Sequence, residues 1–106
     1  MAPHRIRLRE PWEVSPTDDS GTVRRCAFHK PTGLAAGDVV RLVIEAAEGL
    51  QHVALNDRPQ ELSQLDGSAI CDITAALQPR NHLEFRLVAG GKVGEVRLEI
   101  ETSPNA

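Results

Sequence analysis

The sequence predicts an antiparallel β-sandwich of about eight strands, and three observations carry that prediction. Apolar residues recur at every second position, as in Val40, Leu42, Ile44 and Ala46, or Leu83, Phe85, Leu87 and Ala89. Clusters of Gly, Pro, Asn, Asp and Ser punctuate the chain at short intervals. No long apolar series repeats at the helical period. A period of two marks strands with one covered face, and short strands between regular turn signals pack as two sheets around a shared core.

In "HRIRLR", Ile6 and Leu8 face one way and Arg5, Arg7 and Arg9 the other. "PWEV" continues with Trp12 and Val14 on one parity, and "SPTDDSG" is a turn-rich loop. "TVRRCAFHK" is a strand with Cys26 and Phe28 on a shared face, closed by Pro31-Thr32-Gly33. "GDVVRLVIEAA" directs Val40, Leu42, Ile44 and Ala46 inward, and Gly49 breaks the run.

The next strand, "HVAL", points Val53 and Leu55 to the core and His52 and Ala54 away from it. Asn56-Asp57 tolerates the positive φ of a tight hairpin, and Pro59 makes the return near Gln60–Leu62 an edge. A strand around Ser68–Ile73 leads into a brief helical turn in "DITAALQP", capped by Asp72 or Thr74. Gly90-Gly91 marks a hairpin between "NHLEFRLVA" and "GEVRLEIE". The last strand places Val96, Leu98 and Ile100 inside, with Glu95, Arg97, Glu99 and Glu101 in water. One domain spans residues 1–106, with 102–106 a frayed tail.

Composition narrows the function. With 106 residues and 41% apolar content, the chain fills one domain. A net charge of -3 lacks the basic surplus of a protein that lives on phosphate contacts, so nucleic acid is not the expected partner. The start, "MAPHRIRLRE", has no apolar signal region, and Arg41 and Glu45 interrupt the most apolar stretch. With Met1 as the native start and only Cys26 and Cys71 as thiols, the expectation is a soluble cytoplasmic protein, off the membrane, with reduced cysteines.

The order of "RRCAFHKP", "GDVVRLVIEAAEGLQHVALND" and "CDITAALQPRNHLEFRL" resembles the N-terminal sugar-binding domain of glycoside hydrolase family 2 enzymes, the β-galactosidase and β-glucuronidase type. The residues carrying the resemblance are Arg24, Arg25, Phe28, Pro31, Leu55, Asn56, Asp57, Asp72, Ile73, Thr74, Leu77, Asn81 and Leu83, with "PWEV" similar to that domain's Trp-containing entry strand. The resemblance covers most of the chain from about Pro11 onward. It implies a galactose-binding-domain-like jelly roll in which the hairpin at Asn56-Asp57 is an architectural corner. It also implies no catalysis, because that family's catalytic carboxylates sit on a separate barrel. The loop "QLDGSAI" lacks the aromatic residue found in the family's loops.

Candidate binding residues are few. Trp12 can stack a sugar ring, although its parity with Val14 favours core packing. Asp18 and Asp19 offer oxygen ligands for calcium but lack the further ligands such a site needs, so a plain turn is the expectation. Arg80 is a third polar candidate for a sugar site. Cys26 and His29 have a chelate-like spacing that a strand sends to opposite faces, so no metal and no cofactor is expected. No nucleophile elbow or phosphate-cradling glycine loop occurs. Val39 and Val43 lie on the outer parity of their strand, and with Val88 they suggest a covered surface for a protein partner or a second copy of the chain. The expected function is a non-catalytic module with a protein-interaction or structural role, with carbohydrate binding as the alternative.

Overall fold

The structure, a computed structural model, describes residues 4–8, 12–17 and 20–102. Its strands are β1 (His4–Arg7), β2 (Glu13–Pro16), β3 (Thr22–His29), β4 (Val39–Ile44), β5 (Glu48–Leu55), β6 (Arg58–Pro59), β7 (Ser63–Leu65), β8 (Ser68–Asp72), β9 (Arg80–Lys92) and β10 (Val96–Glu101). One 3-10 turn, Thr74–Ala76, interrupts them. The strands form two five-stranded antiparallel sheets, ordered β1-β10-β4-β8-β7 and β2-β3-β9-β5-β6. The fold is all-β, as the period of two requires. Setting aside the edge strands β2 and β7 leaves 1-10-4-8 and 3-9-5-6, the strand order of an eight-stranded jelly roll.

The inner faces meet in one core. Val40, Leu42, Ile44, Leu98 and Cys71 come from the first sheet, and Val53, Leu55, Leu83, Phe85 and Leu87 from the second. Alternation selected these residues, and Phe85, Ile44, Leu55 and Val40 are 0% exposed. Ala46, expected to continue the series of β4 inward, is instead exposed, because β4 ends at Ile44 and Ala46 turns the chain at φ 49°.

Two departures come from turn chemistry. Asp66 (φ 52°) and Gly67 (φ 80°) make a tight hairpin between β7 and β8, so the segment "QLDGSAI" carries strand on both sides of its turn. The Asp-Gly pair was the available signal. Gly90-Gly91 is not the final hairpin: β9 runs through it to Lys92. The β5–β9 register jumps from Leu50↔Leu87 to Glu48↔Lys92, so β9 carries extra residues here as a bulge. Gly91 fits because a Cβ there would sit 2.9 Å from the backbone oxygens of both Glu48 and Val88. Ala89, expected inside, is therefore exposed. The edge strand after Asn56-Asp57 is Arg58–Pro59, slightly earlier than the expected Gln60–Leu62.

Asn56 (φ 53°) and Asp57 (φ 66°) both adopt the positive φ predicted for the turn. The Asn56 side chain is tied into the fold: Oδ1 accepts from His82 N at 2.8 Å and Nδ2 donates to Asn81 Oδ1 at 3.1 Å. Asn81 is itself 0% exposed and exchanges hydrogen bonds with Gln78 N and Gln78 O, both at 2.8 Å. Nearby, Thr74 Oγ1 accepts from Val40 N at 2.9 Å, while Asp72 Oδ1 accepts from Thr74 N at 2.9 Å. Asp72 thus braces the 3-10 turn as an Asx turn, and the N-cap residue Ile73 makes no side-chain capping bond.

Candidate functional site

The two sheets do not close on all sides. Beside Leu8 and Trp12, a cavity of about 760 Å³ opens between the sheets. Its floor is Phe85 on β9, its walls include Leu8, Trp12 and Arg24, and the turn from Val93 to Val96 forms its rim. Pockets for small molecules commonly have volumes of ~300–1,000 Å³.

Trp12 is half-buried, with its ring centroid 5.2 Å from that of Phe85 and the planes at 66°. This edge-to-face contact is favourable for aromatic quadrupoles and anchors the indole on the core while another part lines the cavity. Trp12 thus packs on the core and also lines the cavity.

Arg24 is the residue that sequence reasoning missed as part of a site. It lies opposite Phe85 on one side and Val14 on the other, so its side chain belongs to the inner face. The signal was available: Arg24 precedes Cys26 and Phe28 at the same parity, and both pack on the core. Arg24 Nε is buried with no hydrogen-bond partner among the described residues. Its neighbour Arg25 faces outward and pairs with Glu84 at 3.1 Å.

The other charges at the rim are engaged. Arg7 Nε holds Glu95 Oε1 at 2.5 Å. That hydrogen bond, more than the nearby charges of Arg97 and Arg5, brings the Glu95 carboxyl below the usual range. Among the described lining residues the formal charges are Arg7, Arg24 and Glu95, a surplus of one positive charge. On the outer face of the same sheet Arg97 bridges Glu45 at 2.5 Å and Glu99 at 2.7 Å, and Arg41 pairs with Glu101 at 2.6 Å. The glutamates expected in water are thus tied into an ion-pair ladder.

The remaining sequence candidates are scattered. Asp18 and Asp19 lie outside the described residues. Arg80 is exposed at the start of β9, opposite His29, and does not line the cavity. The valine surface is corrected. Val39 and Val43 belong to the first sheet and Val88 to the second, and Val43 is only 3% exposed, lying between Arg97 and Ile70 in register. Parity placed Val43 on the outer face, but the flanking side chains cover it, so the three do not form one open patch.

Cys26 and Cys71 are unbonded, and burial pushes both thiols up to about 12. Cys26 is half-buried on the inner face while His29 is exposed on the outer one. Among the described residues no group of three His, Cys, Asp or Glu side chains stands close enough to hold a metal ion. Among them, too, no helix is long and apolar enough to cross a membrane.

No protein-family model matches the chain, and no curated protein matches it.

Proposed function

We propose that this chain is a non-catalytic β-sandwich module that acts by binding a protein partner at the open mouth between its sheets. The observation that carries the reading is the joint placement of Trp12 and Arg24 on the walls of the 760 Å³ cavity. A half-buried indole and an inward arginine are the side-chain types that anchor protein contacts, where apolar pockets receive an inserted group. A catalytic reading has less support. The mouth's described carboxylate, Glu95, is held by Arg7, and the two thiols are kept protonated by burial.

A second reading is carbohydrate binding, favoured by the resemblance to the sugar-binding domain of family 2 glycoside hydrolases and by the Trp12 ring at the cavity wall. The fold arises in proteins of many activities, so the site has to decide.

Displayed peptides selected on the isotopically labelled chain, then titrated in parallel with simple methyl glycosides, separate the two. The protein-partner reading predicts amide and indole shifts centred on Trp12, Arg24 and Val93–Val96 with peptides and none with glycosides. Shifts with glycosides alone favour the carbohydrate reading, and peptide shifts confined to the outer faces of the sheets overturn the mouth as the site.

A further inference from the structure

Resting on the mouth as a binding site, we infer that its ligand carries a carboxylate on an apolar body, which Arg24 receives while Leu8, Trp12 and Val93 receive the body. Burying a guanidinium nitrogen without an acceptor costs free energy, and Arg24 Nε is in that position among the described residues. A site that removes a donor from water and supplies no acceptor is completed by one arriving from outside. The planar guanidinium fits a carboxylate, two parallel N–H···O bonds being its strongest pairing. Charge agrees: Arg7 and Glu95 neutralise each other at the rim, and Arg24 is left over. Beyond the Arg7–Glu95 pair the lining side chains, Leu8, Trp12, Phe85, Val93 and Val96, are apolar, so an anion with a hydrophobic group fits them better than a free inorganic ion. Such a carboxylate can be the chain terminus of a protein partner or a free organic acid.

The test uses Trp12, the sole tryptophan in the chain, as its own reporter. Emission is followed during titration with cyclohexanecarboxylate, its carboxamide, acetyl-Ala-Ala-Leu with a free terminus, and the same peptide amidated. The inference predicts saturable changes with both acids, and affinity at least tenfold weaker for both amides. The Arg24→Met variant, checked by thermal melting to be folded, should lose ten- to a hundredfold in affinity for the acids, and Arg24→Lys less. A tighter acid-terminated peptide identifies a chain terminus as the source; equal affinities identify the free acid. Acids and amides binding alike, or Arg24→Met binding acids as the native chain does, overturns the carboxylate and leaves the mouth standing. Failure of both acids, while selected peptides still shift the mouth residues, does the same. No response at the mouth to any of these molecules or peptides overturns both readings.

Discussion

Asn56 Nδ2 donates to Asn81 Oδ1 at 3.1 Å, and this contact joins the β5–β6 turn to the segment entering β9. The tight turn at Asn56-Asp57 is thereby tied to the fold, with the Asn56 side chain bonded to Ala76 O, Asn81 Oδ1 and His82 N. Asn81→Leu keeps similar bulk but orphans Gln78 N and Gln78 O and leaves Asn56 Nδ2 with only its longer bond to Ala76 O. A loss of ~2–4 kcal/mol in a urea titration is expected, since each buried unsatisfied group costs about 1–3 kcal/mol. A loss below ~0.5 kcal/mol would mean the network is not closed.

The two turn residues should respond oppositely to glycine. The Asp57 side chain has no hydrogen-bond or ion-pair partner among the described residues and φ is 66°, so Asp57→Gly relieves backbone strain and should stabilise by ~0.5 kcal/mol. Asn56→Gly relieves similar strain but removes the bonds above, and should destabilise by ~1–2 kcal/mol. Thermal melts of the two variants moving in the same direction would contradict this division.

Phe85 carries the floor of the mouth and is 0% exposed, so Phe85→Ala should cost ~3–5 kcal/mol in denaturant. Its loss also removes the ring on which Trp12 leans, so the Trp12 emission should shift to the red in the variant. An unchanged spectrum would mean the indole is held by other contacts.

Acid should weaken the fold partly through Asp72. Hydrogen bonds from the Thr74 hydroxyl and backbone N–H, with the Arg41 charge as a smaller cause, hold its carboxyl below the usual range. A folded value below the unfolded one gives stability that is present above the unfolded value of ~3.9 and lost as pH falls through the folded one. Asp72→Asn keeps an acceptor without the titration, so its stability should fall less steeply below about pH 4. Identical acid limbs for both proteins would remove Asp72 from the account.

Thiol reactivity runs the other way. Cys26 and Cys71 have folded values raised to about 12 by burial, so the stability this gives is full below the ordinary thiol value and is lost as pH rises towards 12. Near pH 8 the folded chain should resist alkylation by iodoacetamide, and both thiols should react once it is unfolded. Rapid labelling of the native protein would show that either thiol is reachable as thiolate.

Much of the fold was legible because one face of each sheet is buried. Val40, Leu42, Ile44, Leu83, Phe85 and Leu87 alternate in the chain and meet in the core. Parity reports direction, however, and not what stands beside a residue. Val43 points outward as its position requires, yet it is covered between Arg97 and Ile70, contacts set by strands distant in sequence. Arg24 is the converse case: its charge favours solvent, whereas its parity with Cys26 and Phe28 places it inside. Gly90-Gly91 looked like a turn because glycine permits one, whereas the register of β5 against β9 uses it for a bulge. The mouth itself was not legible, since it depends on how Leu8 and Trp12 stand relative to Val93 and Val96, residues far apart in the chain.

The central claim is that Trp12 walls an open cavity made positive by Arg24. It is tested most directly by collisional quenching of Trp12 emission with iodide and with caesium. Both ions should reach the indole, iodide should quench more strongly at matched ionic strength, and the difference should shrink in Arg24→Met. Blue-shifted emission resistant to both ions, or quenching with no preference for the anion, would contradict it.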